Sequence, residues 1–526
     1  MDRDLVHERR WLILPVLCLS ILIVVVDNTV VNVALPSLSR ELHATTTQLQ
    51  WIVDAYSLVF AGLLIAAGNL GDRLGRKRML ELGLVWFGAM SAAAAVAPSA
   101  PLLIAARAAM GIGAALVFPA TLAILTNVFT DPVERGRAIG IWAAVTGLAV
   151  AIGPVTGGFL LQHFWWGSVF FVNVPIVATA IVLGRLFVPD SRDERAGRFD
   201  PVALVLSVAG VGLLVWTVID APRRGWTATT SLAGFAGAAL LLALFVVWER
   251  RRPDPMLDVG IFSNMRFTAA SVSITVAYFA LYGFIFVLTQ YFQFVRGYSA
   301  LGTGLRELPF ALTAGLTAPV APRLAERFGT KLVVAGGLAA MAAGFAVAAT
   351  FDTGTAYWGP IVGSMILLAV GLTMTTAPAT ESIMGSLPLA KAGAGSAVND
   401  TTRQLGGTLG VAALGSVFSS AYAARLTSRL HAVALPPAAV HAARESVASA
   451  LATAAHAPGT IGAAIADAAR DAFVTGFGAA SLVAVVAAAA GIALTLRYLP
   501  ARAAQPAGEA VAEPDVLGLV DDETAA

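Results

Sequence analysis

Long apolar runs, separated by short polar segments, make up most of the chain. Each run has roughly 18 to 25 residues, the length of an α-helix that crosses a bilayer. The runs lack the short alternation of apolar and polar residues that marks the strands of a membrane barrel. The pattern therefore predicts an all-α polytopic membrane protein with about fourteen spanning helices, in groups of about six, two and six.

Composition supports this class and excludes several others. Hydrophobic residues are 58% of the chain and charged residues 13%, with a mean hydropathy of +0.78, whereas about a quarter of a soluble domain is charged. The net charge of +2 gives no indication of nucleic-acid binding. The single cysteine, Cys18, excludes an intrachain disulfide.

Nothing in the sequence indicates an enzyme. The six histidines and the single cysteine form no metal-binding or nucleophilic pattern with usable spacing, so we predict no catalytic residue, no metal and no cofactor. A phosphate-binding G-x-x-x-x-G-K-[ST] loop is also absent from the sequence. The sequence therefore gives no indication of a nucleotide-hydrolysing site of this type.

One polar, glycine-rich stretch, Gly68 to Leu80, lies between two apolar runs and predicts a very short loop in a helical hairpin. Four of its residues are basic, and short basic loops stay on the cytoplasmic side. Successive loops of a multi-span protein lie on alternate sides of the membrane. Assigned in this way, roughly 24 of the 34 Lys and Arg fall on the same side as this loop. The sequence thus predicts a multi-pass protein of the cell membrane with both termini in the cytoplasm.

The N-terminal apolar run could also be a cleaved signal peptide, because Arg9 and Arg10 precede it. The run continues through Asp27 to Pro36 without a convincing cleavage site. Its length favours a permanent span.

Charged segments divide the chain further. Residues 1–188 are predicted to form a six-span bundle, and residues 189–252 two inserted spans with cytoplasmic linkers. Residues 253–499 are predicted to form a second six-span bundle that includes an external alanine-rich loop, 420–470. The tail, 500–526, is predicted to be disordered and cytoplasmic.

The sequence of the basic loop is repeated, less exactly, in the second half of the chain. Asp72-Arg-Leu-Gly-Arg-Lys77 recurs in degraded form as Glu326-Arg-Phe-Gly-Thr-Lys331, again between two predicted spans. Repeats at corresponding positions of two halves are typical of transporters, whose substrate site lies between the halves near mid-membrane.

The segment Gly68-Asn-Leu-Gly-Asp-Arg-Leu-Gly-Arg-Lys77 resembles the loop G-x-L-a-D-r-x-G-r-k of the major facilitator superfamily, specifically its fourteen-span drug:proton antiporters. The resemblance implies two six-helix bundles with two additional spans between them. It also implies that the loop gates the cytoplasmic ends of the helices, although its basic residues could serve topology alone. The implied gating residues are Gly68, Asp72, Arg73, Gly75, Arg76 and Lys77.

The first span carries Asp27-Asn-Thr-Val-Val-Asn-Val-Ala-Leu-Pro36, which resembles a segment of the same drug exporters. A carboxylate this deep in an apolar helix costs about 2.5 to 3.5 kcal/mol on insertion scales. We therefore expect Asp27 to face a cavity and to handle a proton or a cation. The alternative is a structural contact with Asn32.

The fourth span begins Leu103-Ile-Ala-Ala-Arg-Ala-Ala-Met110, which resembles a superfamily pattern except that Met110 stands where glutamine is common. Arg107 has no acid nearby in sequence, so its partner must lie on another helix, and Asp27 is the candidate. Together they are the predicted proton-coupling pair. Snorkelling of Arg107 to the outer interface is the alternative.

The fifth span contains Gly153-Pro-Val-Thr-Gly-Gly158, which matches the antiporter pattern G-P-x-x-G-G. Small residues at this spacing let a neighbouring helix pack closely, and proline bends the span. Gly153, Pro154, Gly157 and Gly158 are therefore predicted to form the antiporter motif. Because the pattern is characteristic of exporters, it also predicts the direction of transport.

Three further acids are candidates for a substrate or auxiliary proton site. Asp54 is near the outer start of its span and could simply reach the interface. Glu381 is predicted at the end of a span, and Asp400 in the first turn of the next helix, where the helix dipole alone would favour a carboxylate. Four aromatic residues of the ninth span either line a cavity or pack in the core or against lipid: Phe279, Tyr282, Phe286 and Tyr291.

The sequence thus predicts a proton-coupled antiporter that exports small apolar or cationic compounds. Its expected partners are a small-molecule substrate, protons and the bilayer, with no nucleic acid, and the protein is expected to be a monomer. One alternative is a dedicated exporter of a self-made metabolite such as an antibiotic. Another is a membrane receptor or scaffold that no longer transports.

Overall fold

The structure is a computed structural model that describes residues 3–191, 200–253, 255, 257–386, 392–431 and 436–501. The predicted tail, 500–526, lies outside the described residues from residue 502 onwards. The α-helices, in chain order, are α1 (Arg3–Glu41), α2 (Thr46–Leu74), α3 (Arg76–Ala95), α4 (Ala100–Val128), α5 (Pro132–His163), α6 (Ser168–Phe171), α7 (Asn173–Phe187), α8 (Pro201–Arg224), α9 (Thr229–Arg251), α10 (Met265–Gln290), α11 (Ala300–Thr317), α12 (Val320–Phe328), α13 (Thr330–Ala348), α14 (Val362–Met384), α15 (Ala392–Leu430), α16 (Pro437–Glu445), α17 (Val447–His456) and α18 (Gly459–Tyr498).

The all-α polytopic class is confirmed. Ten helices of the described chain are long and apolar enough to cross a membrane. Helices α2, α3, α5 and α11 pack among these ten. The total of about fourteen spans stays a prediction.

Two helical bundles form the body of the protein. In the first bundle α4 packs against α2 and α3, α1 packs against α5, and α3 packs against α7. In the second bundle α15 packs against α10 and α18, and α13 packs against α14 and α18. Helices α8 and α9 pair with each other, and α8 also contacts α2 of the first bundle and α15 of the second. The end of the bundles that carries the Arg73–Arg78 loop is called here the basic end, and the other the opposite end.

Glycines in the two halves allow equivalent close helix contacts. A Cβ atom on Gly157 of α5 would lie 3.3 Å from the carbonyl oxygen of Val30 on α1. In the second bundle, a Cβ atom on Gly406 of α15 would lie 2.5 Å from the carbonyl oxygen of Thr275 on α10. Both helix pairs therefore pack nearly backbone to backbone.

The two loops that share this sequence repeat also share a backbone conformation. Gly75 separates α2 from α3 with φ of +108°, and Gly329 separates α12 from α13 with φ of +89°. Glycine adopts this region without the steric penalty that a Cβ atom brings. The repeated motif thus places a helix break at the corresponding point of each half.

The predicted external loop, 420–470, is largely helical in its described part. Helix α15 extends to Leu430, α16 and α17 follow, and α18 begins at Gly459. The Tyr422 hydroxyl donates to the carbonyl oxygen of Ala443 at 3.0 Å, and the Thr46 hydroxyl of α2 donates to that of Glu445 at 3.0 Å. This helical cap therefore connects the two bundles at the opposite end.

A buried carboxyl group, that of Asp200, joins α8 to α9. As the N-cap of α8 it accepts hydrogen bonds from the backbone N–H groups of Val202 and Ala203, at 3.0 and 3.1 Å. It also accepts from the indole N–H of Trp248 at 2.9 Å and the Nε–H of Arg252 at 3.1 Å. Burial alone would raise the pKa of Asp200, but these donors hold its pKa below the ordinary value.

Replacing Asp200 by asparagine is expected to lower the free energy of unfolding by about 1 to 3 kcal/mol, because the half-buried indole N–H of Trp248 and the Nε–H of Arg252 lose a charged acceptor. Since the folded state lowers the pKa, the contribution of the carboxylate is present above the pKa of the unfolded chain and is lost as pH falls through the folded pKa. The difference in melting temperature should therefore be full at about pH 6 and shrink below about pH 4. Thermal unfolding in detergent measures it, with the exposed Asp467→Asn as control. Equal melting temperatures at pH 6 would contradict the prediction.

Candidate substrate cavity and buried ion pair

A cavity of about 150 Å³ lies between the two bundles. Helices α1, α2 and α5 line it from the first bundle, and α10, α11, α14 and α15 line it from the second. Most of its lining side chains are aliphatic or aromatic. They are Asn28, Thr29, Asn32, Val53, Val150, Pro154, Tyr278, Leu281, Tyr282, Phe284, Ile285, Leu288, Glu307, Phe310, Ala311, Met365, Leu368, Leu372 and Val411.

Glu307 is the one charged side chain among these lining residues. It belongs to α11, and its Oε1 atom accepts a hydrogen bond from the hydroxyl of Thr289 on α10 at 3.0 Å. The sequence analysis missed Glu307, although it also lies within an apolar run. The rule that selected Asp27, a carboxylate inside an apolar helix, would have found it.

The aromatic prediction for α10 is partly right. Tyr282 lines the cavity, together with Tyr278 and Phe284, which the sequence analysis did not select. Phe286 and Tyr291 are instead fully buried in the core. The cavity therefore presents two tyrosine rings near one carboxyl group, and the helix period decided which rings face it.

The ion pair predicted between Asp27 and Arg107 is present. The Nη1 atom of Arg107 donates to Oδ2 of Asp27, and the Nδ2 atom of Asn173 donates to Oδ1 at 2.9 Å. The Nε–H of Arg107 donates to the carbonyl oxygen of Ile52 at 3.1 Å. Both charged side chains are 0% exposed, so Arg107 does not snorkel.

Aromatic and polar side chains enclose this pair. The guanidinium carbon of Arg107 lies 4.2 Å from the ring centre of Tyr56, within range of a cation–π interaction. Asn173 also donates to the hydroxyl of Ser91 at 3.0 Å, and that hydroxyl donates to the carbonyl oxygen of Phe170 at 2.8 Å. The sequence analysis did not select Tyr56, Ser91 or Asn173.

The expectation that Asp27 faces the cavity is wrong. Its neighbours Asn28 and Asn32 line the cavity, whereas Asp27 is directed into the first bundle towards Arg107. One residue turns a helix by about 100°, so adjacent positions face different surroundings. The alternative contact with Asn32 is also wrong, because Asn32 donates to the carbonyl oxygen of Asn28 at 3.4 Å.

Asp54 is fully buried, so the alternative that it reaches the interface is wrong. Neither of its carboxyl oxygens has a hydrogen-bond partner among the described residues. One turn earlier on α2, the Nε2 atom of Gln50 donates to the carbonyl oxygen of Ala412 at 3.1 Å and lies 3.3 Å from the hydroxyl of Ser416, both on α15. Asp54 therefore lies on a helix that contacts the other bundle nearby.

Glu381 and Asp400 lie outside the cavity lining. Glu381 is exposed in the last turn of α14, the span end predicted from the sequence. Helix α15 begins at Ala392, so Asp400 is not in its first turn. Stabilisation by the helix dipole therefore does not explain the carboxylate at this position. Its Oδ1 atom lies 4.0 Å from Nη1 of Arg403.

The described contacts of the predicted gating loop are with the first bundle and with the segment that directly follows it. The backbone N–H of Arg76 donates to the carbonyl oxygen of Ser191 at 2.9 Å, and the Nζ atom of Lys77 donates to that of Arg185 at 3.2 Å. Arg73 is exposed, and the side chain of Asp72 lies outside the described residues. A Cβ atom added to Gly68 would lie 3.6 Å from the side chain of Pro119 on α4. The gating role stays a prediction.

The antiporter motif on α5 touches both bundles. Gly153 faces the side chain of Thr29 on α1, whereas Gly158 faces the backbone of Ala300 and Leu301 on α11. Gly304 of α11 in turn faces the carbonyl group of Pro154. These contacts hold α5 against α11 towards the opposite end.

Another contact closes the same end. The Nε2 atom of Gln293, in the π-helical turn after α10, donates to the carbonyl oxygen of Val33 on α1 at 2.9 Å. Gln293 is 8% exposed. The bundles are therefore in direct contact between the cavity and the opposite end.

Comparison with known proteins gave a family match and close relatives. The family model described as Major Facilitator Superfamily matches residues 17–411. The multidrug efflux pump LfrA of Mycolicibacterium smegmatis is 40% identical over 492 residues, which cover 93% of this chain and 97% of LfrA. The methyl viologen resistance protein SmvA of Salmonella typhimurium is 38% identical over 472 residues, 89% of this chain and 93% of SmvA.

A solved structure has a similar fold. It is a bacterial homologue of the human lysosomal transporter Spinster, in an inward-facing and unoccupied conformation. The TM-score is 0.64 at 18% sequence identity, and the match covers 93% of this chain and 98% of that one.

Proposed function

Because the chain belongs to the major facilitator superfamily, with multidrug efflux pumps among its relatives, we propose that it exports small cationic or apolar compounds in exchange for protons. Family membership makes the protein a membrane transporter rather than an enzyme. Beyond family membership, we propose the class of substrate, the coupling ion and the orientation of the protein in the membrane.

The observation that carries the proposal is the carboxyl group of Glu307 in an aromatic cavity between the two halves. Tyrosine rings attract organic cations through their faces, and a carboxylate neutralises the charge. The mostly apolar wall binds the remainder of a lipophilic molecule. Methyl viologen, against which SmvA is a resistance protein, is an aromatic cation of this kind.

The same carboxyl group supports exchange. A cation binds the ionised form of Glu307, and a proton that binds the same oxygen neutralises it and releases the cation. Competition of this kind makes proton binding and cation binding mutually exclusive at one site, so that proton uptake accompanies cation release. One-for-one exchange of a monovalent cation for a proton moves no net charge, so this site alone is driven by the proton concentration gradient. Each additional proton moved lets a membrane potential of 100 mV contribute about 2.3 kcal/mol, which supports a gradient of roughly fifty-fold.

Asp27 and Arg107 are proposed to couple a second proton to helix movement. Protonation of Asp27 removes the anion that Arg107 binds and weakens the contact among α1, α4 and α7. Helix α1 also carries Asn28 and Asn32 in the cavity wall. A change at the ion pair is therefore transmitted to the substrate site by one helix.

We place the basic end in the cytoplasm, with both termini on that side, following the bias of Lys and Arg. The contacts at the opposite end then separate the cavity from the outside. Export requires these contacts to open. The proposed unit is a monomer, because both halves of the cavity come from one chain.

Inverted membrane vesicles test the proposal. Energised vesicles that contain the protein should accumulate ethidium, and a proton uncoupler should abolish the accumulation. Glu307→Gln should reduce ethidium accumulation at least about tenfold, since the site loses its charge. Glu41→Gln, at an exposed acid outside the cavity, is the matched control and should transport normally. Accumulation that survives the uncoupler would contradict proton coupling, and full activity of Glu307→Gln would contradict the site.

A further inference from the structure

The hydroxyl of Thr289 has two hydrogen-bond partners and a single hydrogen to donate. It lies 3.0 Å from Oε1 of Glu307 and 3.1 Å from the carbonyl oxygen of Ile285, one turn earlier on α10. Thr289 is 0% exposed, so water does not compete for the hydroxyl. Among the described residues, Thr289 is the only hydrogen-bond partner of the Glu307 carboxyl group.

The two partners fit the two protonation states of Glu307. When Glu307 is ionised, the Thr289 hydroxyl donates its hydrogen to the carboxylate. When Glu307 is protonated, its own O–H donates to the Thr289 oxygen, and the Thr289 hydrogen turns to the carbonyl oxygen of Ile285. Every group keeps a hydrogen bond in both states, and only the hydroxyl rotates.

We propose that Thr289 is a positioning residue that keeps Glu307 hydrogen-bonded in both protonation states and so sets the pH range over which the cavity binds cations. The proposal rests on the proposed function of Glu307 as the cation site. It assigns to Thr289 no contact with substrate, since Thr289 is absent from the cavity lining.

Other groups near Glu307 do not take this role. Tyr278 and Tyr282 are the only other titratable residues in the cavity lining, and helices α1, α2, α5, α14 and α15 contribute none to it. Arg306, the neighbour of Glu307 on α11, is directed elsewhere. Its guanidinium carbon lies 3.9 Å from the ring centre of Tyr298, and its Nη1 atom donates to the carbonyl oxygen of Gly302 at 3.0 Å.

Thr289→Val keeps the shape of the side chain but removes the hydroxyl. A hydrogen bond to a charged group is stronger than one to a neutral group, so the loss affects ionised Glu307 more than protonated Glu307. The pH midpoint of cation binding should rise by about one unit. Affinity should fall about tenfold below the midpoint and stay unchanged about two units above it, where Glu307 is ionised in both proteins.

The experiment measures tetraphenylphosphonium binding to purified protein in nanodiscs between about pH 5 and pH 10. Thr289→Ser, which keeps the hydroxyl, should have the wild-type midpoint, and Glu307→Gln should bind weakly at every pH. Thermal unfolding confirms that each variant is folded, and Thr289→Ala serves in place of Thr289→Val if the latter does not fold.

An unchanged midpoint in Thr289→Val, with Glu307→Gln inactive, would overturn the role of Thr289 and leave the proposed site standing. An equal loss of affinity at all pH values would also overturn it, because that result indicates general damage to the cavity. Wild-type binding by Glu307→Gln would instead overturn the cation site itself, and the role of Thr289 with it.

Discussion

Replacing Arg107 by leucine is expected to lower the free energy of unfolding by about 3 to 5 kcal/mol, because Asp27 would remain buried without its cation. Asp27 and Arg107 are both 0% exposed, so water cannot replace the lost partner. Asn173 would still donate to Asp27, but a single neutral donor compensates only part of a charge. Urea or thermal unfolding of the purified protein in detergent measures the loss.

The double variant Asp27→Asn with Arg107→Leu distinguishes the ion pair from simple packing. It leaves no buried charge, and replacing a buried pair by neutral residues often costs little. The double variant should therefore be more stable than Arg107→Leu alone, which gives a large coupling energy in a double-mutant cycle. Additive effects of the two substitutions would contradict this account.

Transport separates the coupling role of the pair from its structural role. Asp27→Asn and the double variant should fold but lose uncoupler-sensitive accumulation in vesicles, since neither retains the proposed proton acceptor. Arg107→Lys should also be impaired, because lysine cannot donate to Asp27 and to the carbonyl oxygen of Ile52 with a rigid fork. Undiminished proton-coupled transport by Asp27→Asn would remove Asp27 from the mechanism.

The sequence alone identified Asp27 and Arg107 because charges inside apolar helices are costly and therefore need a partner. It could not show that Asn173 and Tyr56 complete the site. Asparagine and tyrosine near a span end are ordinary residues, and only packing brings them together. Glu307 was available to the same reasoning as Asp27 but was overlooked.

The backbone was predictable where a local residue type requires a particular conformation. Gly75 and Gly329 break helices at corresponding positions of the repeated motif, which the sequence analysis placed between two spans in each half. Helix ends without such a signal were less predictable. Alanine-rich segments continue as helices beyond any membrane span, so α15 runs to Leu430 and the stretch predicted as a loop contains α16 and α17.

The direction of Asp27, away from the cavity and towards Arg107, was not predictable either. Hydropathy locates a residue along the membrane normal but not around the helix axis when all faces are apolar. Helix α1 is buried on several sides, so its apolar pattern carries no direction. The position of Asp27 depends on where α4 and α7 pack, which is tertiary information.

Gly304→Ala is expected to shift the protein away from the conformation in which α5 and α11 touch. An added Cβ atom would overlap the carbonyl group of Pro154, 2.6 Å from its carbon atom. Overlap with backbone costs about 1 to 3 kcal/mol, and the cost arises only while the bundles are in contact. The equilibrium should therefore move by roughly 5- to 150-fold towards the conformation that is open at the opposite end.

Gly158→Ala provides an independent test on the partner helix. Its Cβ atom would lie 2.6 Å from the carbonyl oxygen of Ala300 and 2.6 Å from the Cα atom of Leu301. These atoms belong to the other bundle, so this overlap also arises only while the two bundles are in contact. Both variants should lose most ethidium accumulation in vesicles, since transport requires the opposite end to close in each cycle.

A cysteine in the cavity wall reports the conformation directly. Ile285→Cys, in a background with Cys18→Ser, lines the cavity and should react slowly with a membrane-impermeant maleimide added outside intact cells. Gly304→Ala and Gly158→Ala should each increase this reaction rate about tenfold. The increase would show that the cavity has become open to the opposite end.

Matched glycine controls exclude a general effect of alanine on these helices. Alanine favours a helix over glycine by about 1 kcal/mol, but it does so in both conformations and shifts no equilibrium between them. Gly315 on α11 and Gly140 on α5 have no atom within 4 Å of an added Cβ. Gly315→Ala and Gly140→Ala should therefore transport and label like wild type. If they behave like Gly304→Ala and Gly158→Ala, or if none of the four changes labelling, then backbone contact between α5 and α11 does not control closure of the opposite end.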